Sequence, residues 1–100
     1  VHPCTEWQGT LPELLATLGR DGVLQLMVEG GAKVATSFHE AGLVDRYVLY
    51  MAPALMGDGT GMWAGLHTPT IDQLWRGRIT STRLVGDDIE VILEPERSAA

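Results

Sequence analysis

The length, composition and charge of the chain exclude several classes of protein. One hundred residues, 45% of them hydrophobic and 20% charged, fit one small globular domain or part of a larger one and argue against disorder. The formal net charge is -6 and no basic run occurs, so neither nucleic acid nor an anionic membrane is an expected partner. The single cysteine, Cys4, excludes an intrachain disulfide and fits a reducing, cytoplasmic location.

The first predicted helix begins at a capping signal. Thr10 can cap the helix start, Glu13 can bond back to the cap, and Pro12 suits the first turn. We expect the helix to run to about Leu18, where Gly19 ends it and residues 20–22 form the turn. Its apolar face repeats at helical spacing: Leu11, Leu14, Leu15 and Leu18.

A strand, a glycine turn and a second helix are predicted next. The apolar run Val23–Val28 suits a strand covered on both faces, as in a parallel sheet. A helix is expected over Ala32–Ala41, with Val34, Ala35 and Phe38 facing the sheet. Gly42 is well placed to end this helix, and Leu43 could then touch Phe38.

The remaining elements complete a small α/β fold. Arg46–Met51 predicts another strand, and the order strand, helix, strand favours a right-handed parallel crossover that makes it the neighbour of the first strand. Ile71–Trp75 fits either a short helix or the approach to a strand. Thr80–Val85 and Ile89–Leu93 flank a glycine turn and predict a hairpin, and a polar tail follows from residue 94 to 100.

The candidate ligand site lies where the first predicted strand ends. Glu29 stands at the carboxyl end of that strand, where open α/β sheets bind ligands. Gly30 and Gly31 allow unusual backbone angles and a close approach, and the helix start behind them can bind a phosphate. Two simpler interpretations stay open, because the glycines also fit an ordinary turn and Glu29 also fits a helix cap.

The other polar and aromatic residues carry weaker signals. His39 is interpreted as a surface residue near a helix end. His2 and His67 have no cysteine or carboxylate at ligand spacing, so no metal site is expected. Trp63, in a glycine-rich loop, fits core filling and also fits the cover of a pocket or interface.

The run from Val28 to Pro53 carries a family resemblance. Glu-Gly-Gly, a helix, Gly-Leu-Val-Asp and an apolar strand ending in Ala-Pro together resemble the reductase domain of the bifunctional bacterial riboflavin biosynthesis deaminase/reductase. The resemblance extends more loosely from Leu11 to Glu94. It covers the carboxyl-terminal half of the family domain, so residues 1–100 are interpreted as a single, partial reductase domain.

This resemblance implies a fold, an activity and a site. The fold would be a dihydrofolate-reductase-like mixed sheet with a parallel βαβ core and a C-terminal antiparallel hairpin. The activity would be NADPH-dependent reduction of the ribosyl group of 5-amino-6-(5-phosphoribosylamino)uracil, or its diamino precursor, to ribityl. Glu29 would contact this pyrimidine ribotide and serve catalysis. The residues implied in NADPH binding are Gly30, Gly31, Ala32, Lys33, Val34, Ala35, Thr36 and Ser37.

The resemblance also leaves alternatives. The chain could be a non-catalytic domain for nucleotide binding or association, or a related reductase of another pteridine or pyrimidine. Because half of the sheet is missing, strand edges and apolar faces would be uncovered. We therefore expect the isolated chain to be inactive as a reductase and to associate as a homodimer or a higher homo-oligomer.

Overall fold

The computed structural model describes residues 7–57, 59, 61–66 and 68–96. Cys4, His2, His67 and the end of the predicted tail lie outside these residues. Two α-helices, one short 3-10 helix and three strands follow one another along the described chain. Their order is α1 (Leu11–Arg20), α2 (Ala32–Glu40), β1 (Tyr47–Met51), η1 (Ile71–Gln73), β2 (Gly77–Val85) and β3 (Asp88–Pro95).

Local capping signals determine where the helices begin and end. The side chain of Thr10 accepts from the Glu13 N–H at 3.3 Å, and the Glu13 carboxylate accepts from the Thr10 N–H, which confirms the capping box. At the end of α2, Gly42 has φ +68°, and the Leu43 N–H donates to the Phe38 carbonyl at 3.1 Å. This is the predicted Schellman ending.

The end of α1 differs from the prediction. Gly19 does not end the helix, which continues to Arg20. Gly22 takes the left-handed conformation instead, with φ +89°, and its N–H donates to the Gly19 carbonyl. A second Schellman bond joins the Val23 N–H to the Leu18 carbonyl at 3.0 Å. The helix therefore ends two residues later than expected, and the left-handed angle, which glycine adopts without strain, falls on the glycine of the predicted turn.

The sheet is antiparallel, with strand order β1-β3-β2. The predicted hairpin is confirmed, since β2 and β3 pair across a turn in which Gly86 has φ +61°. An irregularity between Ile79 and Ser81 shifts the register of this pair. Strand β1 pairs with β3 on one side, and its other side has no partner strand within the described chain.

The predicted strand Val23–Val28 is not formed. Residues 23–30 have no strand pairing, so the expected parallel pairing with β1 is absent from the described structure. Leu24 is 97% exposed and Met27 81% exposed, although the apolar run suits a strand covered on both faces. A strand exists only through the partners that complete its hydrogen bonds, and none is present here.

The apolar core is small. Phe38 is the one buried apolar side chain among the described residues, and the four leucines of the α1 face are half-buried. Ala35 is half-buried as expected, whereas Val34 is 46% exposed and does not face the sheet. The second buried residue of α2 is Thr36, a polar side chain. The helices and the sheet therefore share little interior.

Candidate functional site

The start of α2 is the first part of the candidate site. Gly31 is its N-cap, in extended conformation, and no side chain bonds to the free N–H groups of the first turn. A helix start without a side-chain cap keeps its donors available for an anion. Lys33 lies in this first turn with its side chain exposed. The arrangement suits a phosphate or another anionic group.

The two glycines before α2 leave open space. The peptide bond between Gly30 and Gly31 is cis. A Cβ added at either residue would have no atom within 4 Å, and neither glycine has a positive φ. Among the described residues, neither packing nor backbone angle requires glycine at these two positions. Their small size leaves an open surface that a ligand or further protein can approach closely.

Glu29 lies exposed immediately before these glycines. It has no hydrogen bond or ion pair within the described part of the chain. The alternative interpretation of Glu29 as the cap of α2 is therefore not realised, since no side chain caps this helix. Its carboxylate remains able to accept hydrogen bonds from a bound molecule.

Glu29 and Gly30 line a large cleft, which we call the main cleft. It measures about 1750 Å³ and lies between residues 23–30, the inner sides of both helices, and β1. Ligand pockets usually measure ~300–1,000 Å³. The main cleft is larger than one ligand needs, so it also offers room for further protein. Met62 and Trp63 line the same cleft.

The hydroxyl groups of α2 have partners inside the chain. The Ser37 hydroxyl donates to the Lys33 carbonyl at 2.8 Å, one turn back. The Thr36 hydroxyl is buried and accepts from the Ala64 N–H at 2.9 Å. Each hydroxyl therefore already has a partner within the chain, and contact between these residues and a cofactor stays a prediction.

An aromatic cluster surrounds His39, and the sequence interpretation missed it. The Tyr47 hydroxyl lies 2.6 Å from His39 Nδ1, and the Trp63 and Trp75 ring centroids lie 4.7 and 5.5 Å from the imidazole. Burial raises the pKa of Tyr47 above its ordinary value. His39 is half-buried, so its interpretation as a surface residue was wrong. Its position four residues after Ala35, which was expected to face the sheet, was the available signal.

A charged network crosses the sheet away from the helix start. Arg83 Nε donates to Glu90 Oε1 at 2.7 Å, and the Tyr50 hydroxyl donates to Glu90 Oε2 at 2.7 Å. These bonds, that from Arg83 first, hold the pKa of Glu90 below its usual range, and the same carboxylate raises the pKa of Tyr50. The three residues face one another in register across β1, β3 and β2. This network stabilises the sheet pairing.

Within the described residues, no group of three or more His, Cys, Asp or Glu side chains is arranged to hold a metal ion. None of the helices in this part of the chain has the length and apolar character needed to cross a membrane.

These features define a domain of mixed helix and strand content with an uncapped helix start beside an open cleft, where the Glu29 carboxylate has no partner among the described residues. The family described as the RibD C-terminal domain matches residues 4–91 of the chain. The chain therefore belongs to the RibD C-terminal domain family.

Curated relatives support this assignment. The riboflavin biosynthesis protein RibD of Chlamydia muridarum is 38% identical over 88 residues, which cover 87% of this chain and 24% of the relative. RibD of Corynebacterium ammoniagenes is 41% identical over 66 residues, which cover 66% of this chain and 20% of the relative. The chain thus spans between a fifth and a quarter of the length of these two proteins.

A solved structure supports the same assignment through its fold. Acinetobacter baumannii RibD, form 2, superposes with a TM-score of 0.82 at 28% identity, covering 92% of this chain and 26% of that one. The expected dihydrofolate-reductase-like fold is thereby supported for the mixed helix and strand content. The parallel pairing is the part that the described structure lacks.

Proposed function

We propose that the chain is the carboxyl-terminal part of an NADPH-dependent reductase of riboflavin biosynthesis. Its reaction reduces the ribosyl group of 5-amino-6-(5-phosphoribosylamino)uracil, or of the diamino precursor, to ribityl. The observation that carries this proposal is the partner-free Glu29 beside an open glycine pair and an uncapped helix start, in a member of the RibD C-terminal domain family.

The helix start fits a nucleotide cofactor. Free N–H groups and the positive end of the helix dipole favour an anionic pyrophosphate, and no Cβ blocks its approach. Gly30, Gly31, Ala32 and Lys33 would hold the phosphates, with Val34 and Ala35 further along the helix. When bound, NADPH supplies the hydride. The chain's contribution is to bind and orient this cofactor.

Glu29 fits the role of substrate contact. A free carboxylate accepts hydrogen bonds and can fix the orientation of a pyrimidine or a sugar hydroxyl. It can also hold or pass on a proton as the sugar carbon is reduced. In this proposal Glu29 acts from the edge of the main cleft, next to the cofactor turn.

The isolated chain should not be a competent enzyme. The main cleft is larger than a ligand needs, and the chain spans a minor part of its relatives. We expect the full-length protein to show substrate-dependent NADPH oxidation and the 100 residues alone to show none. The exposed apolar side chains also favour association into a homodimer or higher homo-oligomer.

Glu29→Gln in the full-length protein tests the proposal. The change keeps the size of the side chain and removes the charge, so kcat/KM should fall about 10- to 1000-fold, worth roughly 1.4–4 kcal/mol. NADPH affinity should hold. Glu40→Gln is the matched control, because Glu40 is an exposed carboxylate at the other end of α2 and does not line the main cleft.

Two results would contradict this assignment. Wild-type kinetics for a stable Glu29→Gln protein would show that Glu29 does not belong to the active site. If the full-length protein binds NADPH but reduces a different pyrimidine or pteridine, the proposed substrate is wrong and the assignment as a reductase stands.

A further inference from the structure

Thr36 joins α2 to a loop that is distant in sequence. Its side chain is 5% exposed, and its hydroxyl accepts the Ala64 N–H at 2.9 Å. Ala64 belongs to residues 61–66, which we call the 61–66 loop. The bond is part-buried and links positions 28 residues apart. A buried hydroxyl that pairs with a backbone N–H fixes both partners, because breaking the bond leaves that N–H unsatisfied.

His39 holds the same loop through its ring. The Trp63 ring lies 4.7 Å from the imidazole at an interplanar angle of 39°, next to the Thr36 contact. The imidazole is itself fixed by the Tyr47 hydroxyl of β1 at 2.6 Å. One turn of α2 therefore contacts the loop at two points, through a hydrogen bond to Ala64 and a ring contact to Trp63.

The 61–66 loop forms part of the main cleft. Met62 and Trp63 line it together with Glu29 and Gly30. Trp63 is half-buried; its ring contacts His39, and the residue also lines the main cleft. An accessible aromatic ring that is held rigidly offers a surface for stacking at little entropic cost.

We propose that Thr36 is a positioning residue that holds the 61–66 loop so that Trp63 forms a wall of the cleft against a flat nitrogen heterocycle of a bound ligand. This inference rests on the proposed function, in which both ligands carry such a ring, the pyrimidine of the substrate and the nicotinamide of the cofactor. It assigns Thr36 a role through Trp63 and gives its hydroxyl no contact with phosphate.

Fluorine NMR of the full-length protein labelled with fluorotryptophan tests the inference. The Trp63 signal is assigned by Trp63→Phe, and NADPH and 5-amino-6-(5-phosphoribosylamino)uracil are added separately. The Trp63 signal should shift with at least one ligand, and the ligand that shifts it is the one that contacts the wall.

The variants separate positioning from direct contact. Thr36→Val keeps the shape but loses the acceptor, so the Trp63 signal should move without ligand. The Kd of the ligand that Trp63 contacts should rise about 3- to 10-fold, as expected for one lost hydrogen bond. Thr36→Ser should restore both properties. Thr17→Val is the control, since Thr17 lies on α1 and its hydroxyl accepts from the Arg20 side chain of its own helix.

The outcomes are distinguishable. If a ligand binds and the Trp63 signal does not move, Trp63 does not form a wall of the binding site, and the proposed reductase function still stands. Weaker NADPH binding in Thr36→Val with an unmoved Trp63 signal would also overturn the role of Trp63 as a wall, since Thr36 would then contact the cofactor. Failure of the wild-type protein to bind either ligand would overturn the proposed function and this inference with it.

Discussion

Gly77→Ala should destabilise the β2–β3 hairpin, which supplies two of the three strands of the sheet. An added Cβ would lie 2.6 Å from Cη2 of Trp75 and 2.7 Å from the carbonyl oxygen of Glu94, both too close for real atoms. The Glu94 contact is with backbone, and Gly77 pairs with Pro95 at the end of the β2–β3 ladder. The Trp75 ring or the strand pair must therefore shift. Such overpacking costs about 1–3 kcal/mol.

Amide hydrogen exchange measures this cost in the full-length protein. A loss of about 1–3 kcal/mol in local stability makes amides of residues 77–95 exchange roughly 5- to 150-fold faster. Gly19→Ala is the control, because a Cβ there has no atom within 4 Å and Gly19 lies inside α1. That change should stabilise α1 by about 0.5–1 kcal/mol. Equal exchange across the hairpin in wild type and Gly77→Ala would refute the steric argument.

Two further predictions concern the cap of α1 and the charged network. Thr10→Ala should destabilise α1 by about 0.5–2 kcal/mol, which is measured as faster amide hydrogen exchange within residues 11–20. Unchanged protection of these amides would mean that the capping box does not contribute to the stability of α1. The pKa of Glu90 is lowered in the folded chain, so its contribution to stability is present at neutral pH and is lost as pH falls through that lowered pKa. Acid titration of hairpin exchange checks this, and Arg83→Met should weaken the acid-dependent step. A step of full size in that variant would show that Arg83 does not stabilise the Glu90 carboxylate.

Local signals made part of the fold predictable from sequence. The capping box at Thr10, the glycine ending at Gly42 and the turn at Gly86 each depend on residues within a few positions of one another. Such features follow from backbone angles and nearby hydrogen bonds, and the structure confirms all three. The end of α1 was placed too early because Gly19 was expected to end the helix, whereas the left-handed residue is Gly22.

Non-local pairing limited what the sequence could predict about the site. The position of Glu29 beside a glycine pair and a helix start was visible because these residues are consecutive. The aromatic cluster was not, since His39 and Trp63 meet only when the 61–66 loop folds back on α2. The Glu90 network was missed for the same reason, because Tyr50 and Arg83 reach that carboxylate only through strand register.

The unpaired segment 23–28, which was predicted to be a strand, indicates how the candidate site is completed. The run over residues 23–28 has the composition of a strand buried on both faces, yet Leu24 and Met27 are exposed. Within the described chain, β1 has a partner strand on one edge only. Since the chain spans between a fifth and a quarter of the two curated relatives described above, we infer that residues outside it supply the missing cover. The segment could then pair with β1.

That pairing would also determine the position of Glu29. Glu29 and Gly30 directly follow the unpaired segment, so their placement in the cleft depends on the same pairing. In the described structure α2 and the 61–66 loop are held by Thr36 and His39, while the Glu29 side of the cleft has no comparable support. Cofactor affinity should therefore survive in partial forms of the domain better than substrate turnover does, because the helix start is already formed and the carboxylate is not yet fixed.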